Sequence, residues 1–336
     1  MGCSLSYPSI LVAVAFTGFF SNADALAQEA EESHNVRLLG HDDLQARSAY
    51  HPVIHRQIID GTERWIAYVG HHGGQALNPL SGNMEKNGTS VVDVTDPEHP
   101  VYLQHIEASY GTSGAQMVRV CSGAELPGGD PSRSYLLRAN GGRSPEGGNV
   151  SHQVFDVTDP GAPALLAVVS EGLVDTHKNW WECDTGIAYI VSGVPGWRVD
   201  RMTQIFDLSN PSDPKFIRNF GLPGQQPGSD GEPPVELHGC ISVVEVNRVY
   251  CGQGTNNRGI LVILDRDKLI TDTLVDPENP TTEELEAAII SQLRLPDFMG
   301  AHTSFPVLGM RPEEFNNDQD FKVRNVVAIV NESLRN

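Results

Sequence analysis

Three histidines recur at nearly constant spacing. His177, His238 and His302 lie 61 and 64 residues apart, and the 61-residue step taken backwards from His177 reaches Gln116 and then His55. Neutral imidazoles delivered by separate segments are the donors that copper and zinc sites use, and three protein ligands with an open position permit catalysis. The same placement has a structural use, because a repeated histidine can satisfy buried backbone groups of a neighbouring repeat. Glu236 precedes His238 by two, so in a strand both face one side, and its carboxylate could act as a base or orient a ligand. His72, in the run His71-His72-Gly73-Gly74, could add a ligand from a loop. Trp180 and Trp181 could floor a ligand pocket beside His177 or pack between repeats.

Such residues meet only if the elements carrying them repeat, and they do. Segments 91–100, 154–163 and 205–214 share one pattern, two apolar residues followed by Asp-x-Thr/Ser-Asp/Asn-Pro-x-x-Pro, and 261–267 is a decayed fourth copy. The short polar side chains can bond the backbone two residues on, and Pro presets the turn dihedral, so each apolar run reads as a strand closed by a tight turn. The second Pro donates no backbone hydrogen bond and suits the start of an outer, edge strand. Segments 180–189 and 241–250, and more loosely 57–68, each read as strand, polar turn and strand ending in Tyr, which is a hairpin. One hairpin plus the two strands around the Asp turn makes four antiparallel strands, a propeller blade.

The predicted fold is therefore all-β, a β-propeller of four-stranded antiparallel blades spanning 50–106, 111–169, 174–222 and 235–295, with part of a fifth over 300–336. No Asp turn follows the last strand, 326–330, so the propeller is expected to be incomplete, four blades plus part of a fifth. The first strand of each blade lines a central channel, which would bring His177, His238 and His302 together near the axis. The 33 Gly and 22 Pro suit a strand-and-turn chain rather than a helical one. One helix is expected over 281–293, where Thr281 and Glu284 form a capping box, as an insertion in the fourth blade.

Residues 10–20 form an apolar run too short to span a bilayer, followed by Ala25-Leu26-Ala27 at cleavage positions, so 1–27 reads as a signal peptide and 28–336 as the exported propeller domain, periplasmic or extracellular. Cys3 leaves with the leader, and Cys121, Cys183, Cys240 and Cys251 remain in an oxidising compartment. Cys240 and Cys251 sit symmetrically about a hairpin turn, and Cys121 and Cys183 fall at nearly the same place in successive blades, favouring 240–251 and 121–183 disulfides. Buried free thiols are the alternative for the second pair. A formal charge of −20 argues against nucleic acid and anionic membrane surfaces as partners, and no membrane span is expected.

The repeated Asp-x-Thr/Ser-Asp/Asn-Pro-x-x-Pro segments resemble the repeat of the secreted LVIVD-repeat proteins over almost the whole mature chain, most closely at 175–183, 194–198 and 300–306. The resemblance implies a β-propeller, more distantly similar to selenium-binding protein or methanethiol oxidase propellers, some of which are described as copper enzymes. It implies no settled activity, and members usually continue beyond the point where this chain stops. Two function classes follow. One is an exported binding or interaction module, holding a small molecule, glycan or protein at the channel face through Trp180, Trp181, Glu236 and His72. The other is a copper- or zinc-dependent oxidoreductase with His177, His238 and His302 as ligands.

Overall fold

The computed structural model describes residues 35–109, 115–142, 150–311 and 323–332. The predicted leader lies outside these residues, as do 111–114 and 143–149 of the predicted second blade and 312–322 and 333–336 of the predicted partial fifth. The described residues from 40 onward form one compact unit; residues 35–39, in a separate unit, are exposed.

Four sheets of four antiparallel strands follow one another along the chain. The first contains β1 (Tyr50–Ile59), β2 (Thr62–Gly70), β5 (Thr89–Asp93) and β6 (Val101–Ile106), with a small hairpin, β3 (Gln75–Leu77) and β4 (Met84–Lys86), inserted between its second and third strands. The second contains β7 (Val118–Ser122), β8 (Ser134–Asn140), β9 (Ser151–Asp156) and β10 (Ala164–Glu171). The third runs β11 (Thr176–Trp181), β12 (Ile187–Ser192), β13 (Met202–Asp207) and β14 (Lys215–Phe220). The fourth runs β15 (Leu237–Val243), β16 (Arg248–Gln253), β17 (Ile260–Asp265) and β18 (Ile289–Arg294), and a two-stranded sheet follows, β19 (Thr303–Met310) with β20 (Arg324–Val330). Within each four-stranded sheet, neighbours in sequence pair as a meander, which is the arrangement of propeller-like blades.

The Asp turns explain why each third strand stops where it does. Asp93, Asp156 and Asp207 accept from the backbone N–H of Thr95, Thr158 and Ser209 at 2.9, 2.9 and 2.8 Å. Asp96, Asp159 and Asn210 repeat the device at once, accepting from residues 98, 161 and 212, so each strand end carries two successive Asx turns. In the decayed copy, Asp265 instead accepts from Lys268 N and caps a short helix, α1 (Arg266–Thr271).

The faces of adjacent sheets bury against each other. Ile66, Tyr68 and Val91 of the first sheet pack with Leu136 and Phe155 of the second. Cys121, Tyr135 and Leu137 of the second meet Ala188, Ile190 and Phe206 of the third, while Tyr189, Val191 and Ile205 meet Val249, Val262 and Leu264 of the fourth. Sheet on sheet, each blade supplies what its neighbour cannot bury alone.

The helix expected over 281–293 is only α2 (Thr282–Glu286). The capping box forms as read, with Thr281 Oγ1 and Glu284 exchanging hydrogen bonds across the N-terminus. The helix ends early because residues 289–294 pair with β17 and complete the fourth sheet, and five ladder partners outweigh continued helical propensity.

Both disulfides form. Cys240 and Cys251 are direct partners across β15 and β16 with Cα atoms 4.1 Å apart, and Cys121–Cys183 ties the second sheet to the third. Replacing Cys240 and Cys251 together by alanine should lower the unfolding free energy by about 3 kcal/mol, the loop-closure value for so short a loop. Urea unfolding of the oxidised variant checks this, and an unchanged midpoint would contradict it.

Candidate functional site

A cavity of about 240 Å³ opens where the first strands of all four large sheets and β19 approach one another. Its wall has two tiers, and each obeys the repeat. Met117, Lys178, Gly239 and Thr303 form one, and Arg119, Trp180, Ile241 and Phe305 the other, both at steps of 61, 61 and 64 residues. Members of a strand differ by two, so both tiers project from one face of their strands. Tyr50 and His51 of β1 close the remaining side.

β1 departs from the predicted register. The 61-residue step makes His55 the counterpart of His177 near the start of an inner strand, but Tyr68 pairs with Val53, which places Tyr50 and His51 at the channel end of the strand and leaves His55 in its middle, with Nε2 3.5 Å from Ser134 Oγ of the second sheet. The 61-residue step fails here because the first hairpin turn differs in length from the later two.

The three repeat histidines do come together. The His177 and His238 rings meet edge-on with centroids 4.6 Å apart, and His238 stacks on His302 at 3.6 Å. His238 Nδ1–H donates to the carbonyl oxygen of His302, whereas both ring nitrogens of His177 are buried with no hydrogen-bond partner among the described residues. Burial holds the His177 imidazole well below its ordinary pKa and lowers that of His238 to about 2, with nearby cations adding to the effect, so both rings are neutral at physiological pH. Among the described residues, no group of three or more His, Cys, Asp or Glu side chains is arranged to hold a metal ion.

The other candidates separate. Trp180 lines the cavity. Trp181 points into the core between the second and third sheets, donating from Nε1 to Gly186 O at 3.3 Å. His72 stands at the margin, edge-on to Tyr50 at 4.7 Å and accepting from Gln116 Nε2 at 2.6 Å. Glu236 precedes β15 rather than lying in it, and a bulge between Leu237 and Gly239 breaks the alternation that would have aligned it with His238.

Two cations of the cavity wall escaped the sequence reading. Lys178 is 6% exposed; its Nζ donates to the Tyr50 hydroxyl and lies 4.0 Å from that ring's centroid. Gly239 makes room for it, since a Cβ there would stand 3.2 Å from Lys178 Cγ. Burial first, then Arg201 and Arg119, lower the lysine pKa to about 7, while Glu332 acts through space in the opposite sense. Arg119 lies over the Trp180 ring at 4.6 Å, with Nη1 3.4 Å from His51 Nδ1, and burial lowers its pKa to about 10, which leaves it charged. Among the described residues, neither Lys178 nor Arg119 has a carboxylate partner at ion-pair distance, although Arg201, whose charge acts on Lys178, is paired with Asp175 at 2.9 Å. The signal was in the sequence. Applying the histidine step one and three residues further along each strand finds both tiers.

No family model matches the chain, and no curated protein matches it. Among solved structures, a hypothetical selenium-binding protein from Sulfolobus tokodaii aligns with a TM-score of 0.40 and 13% identity, over 69% of this chain and 53% of that one. The chain thus spans about half the length of that protein, and a likeness at this level carries no argument about fold or function. Among the described residues, no helix is long and apolar enough to cross a membrane.

Proposed function

We propose that the protein is an exported binding module whose cavity takes a small molecule with an apolar body and an anionic head. One observation carries the reading: in a chain of net charge −20, Lys178 and Arg119, without a carboxylate at ion-pair distance among the described residues, face a cavity whose wall combines the apolar Met117, Trp180, Ile241 and Phe305 with Tyr50 and the imidazoles of His51, His238 and His302. Arg119, fixed over Trp180, offers the planar fork that matches a carboxylate, and the aromatic and aliphatic wall covers the body. Export rests on the apolar leader and the two disulfides.

Benzoate is a suitable probe, followed by tryptophan fluorescence and calorimetry. The protein should bind it saturably, and Arg119→Met should weaken binding by about tenfold or more, the cost of a charge-assisted hydrogen bond. Affinity should fall as pH rises through about 7, where Lys178 loses its proton, and settle at what Arg119 alone supports. No binding, or binding indifferent to Arg119→Met, would overturn the reading. Stoichiometric copper or zinc in untagged protein, lost in the His177→Ala/His238→Ala variant, would favour a metal-dependent oxidoreductase instead.

A further inference from the structure

We propose that Lys178 is a covalent capture group, forming an imine with an aldehyde or ketone that enters the cavity. The inference rests on the binding site proposed above and adds a chemistry to it. Lysine is normally a surface residue held in water, and burial without a carboxylate is costly for its charged form. Here a 6% exposed lysine reaches a cavity wall through the gap left by Gly239, and among the described residues its amine contacts a neutral hydroxyl and a ring from Tyr50, with Glu332 acting on it through space and beyond ion-pair distance. Desolvation among apolar groups and beside other cations is the environment that leaves an amine unprotonated and nucleophilic, and the lowered lysine pKa agrees with it.

The neighbours fit the two steps. The unprotonated Nζ attacks the carbonyl carbon, a C–N bond forms, and the carbonyl oxygen takes a proton to give a carbinolamine. The carbinolamine then loses its hydroxyl, with a second proton, as water, and the C=N bond forms; the aldehyde and amine become imine and water with no change of oxidation state. The Tyr50 hydroxyl, whose pKa burial raises, keeps its proton at physiological pH and is placed to hand it to the departing oxygen and to recover one from the nitrogen. Arg119, on the same cavity wall, supplies the charge that would hold a carboxylate at the far end of the same ligand.

The experiment is reductive trapping on the full chain with cyanoborohydride and three probes: 4-formylbenzoate, benzaldehyde and benzoate. The chain has five lysines, and the exposed Lys86, Lys215 and Lys268 are internal controls for random modification. Peptide mapping of protein treated with 4-formylbenzoate should find the secondary amine at Lys178 at least about tenfold above the exposed lysines, the advantage a positioned, unprotonated amine holds over protonated ones. Excess benzoate should protect it, and Lys178→Arg should abolish the adduct. Benzoate binding with no adduct at Lys178, or adducts only at the exposed lysines, would overturn the imine while leaving the binding site intact. An adduct of benzaldehyde at Lys178 in protein that fails to bind benzoate would support the imine and discard the anionic head.

Discussion

Replacing Lys178 by methionine is expected to stabilise the protein near neutral pH rather than weaken it. The lysine pKa falls from 10.5 to about 7 on folding. A group whose proton is held less tightly in the folded state costs stability fully below about pH 7, where both states carry the proton. The cost is relieved as pH rises toward 10.5, because across that window only the unfolded chain still binds the proton. The shift corresponds to roughly 4 to 5 kcal/mol, less about 1 kcal/mol for the hydrogen bond to Tyr50 that methionine cannot make. Methionine fills nearly the same volume, so no cavity term opposes the gain. Urea unfolding at about pH 6 and about pH 10 reads the difference, which should shrink strongly at the higher pH. A methionine variant less stable than the parent at both values would mean that the amine has a charged partner, and the account of the site would fail with it.

The opposite sign is expected at the buried ion pair between the third and fourth sheets. Glu182, at the turn after β11, accepts from Arg266 Nε and Nη2 at 2.9 and 2.6 Å and from Ser242 Oγ of β15 at 2.5 Å. Glu182 is 5% exposed and Arg266 9%. Glu182→Leu strands a buried guanidinium and Arg266→Met a buried carboxylate, and either should cost about 3 to 5 kcal/mol. The double variant should regain most of that loss, because two apolar side chains need no partner. Additive losses in the double variant would show that each residue matters for its own packing and not for the pair.

The blade architecture was legible because it rests on short-range chemistry. Asp93, Asp156 and Asp207 each close a turn with a backbone group two residues away, and such a motif looks the same in sequence as in space. The Cys240–Cys251 pairing was equally local, set by symmetry about one hairpin turn. What failed depended on competition between elements. Residues 289–294 carry a helical pattern but form β18, since the fourth sheet lacks its outer strand without them. His55 was misplaced by a difference in turn length that shifts the register of β1.

The site was half legible. The histidine step brought out the strand positions that converge, and the His177, His238 and His302 rings do meet, the first pair edge-on and the second face to face at a tilt. Chemistry was expected of the histidines because imidazole is the recognisable ligand, whereas the groups facing the cavity are their neighbours on the same strands. A lone lysine among polar residues looks like a solvated one. Only the packing of Lys178 against Gly239 and Tyr50 reveals an amine taken out of water.

Diffraction from crystals soaked with 4-iodobenzoate would show whether the cavity holds an aromatic carboxylate, because iodine marks its own position. An anomalous peak is expected within the cavity, beside Trp180 and Phe305, with the carboxylate turned to Arg119. That peak should be lost in Arg119→Met crystals soaked at the same concentration. A cavity without iodine, or iodine held equally in the variant, would contradict the proposed binding site.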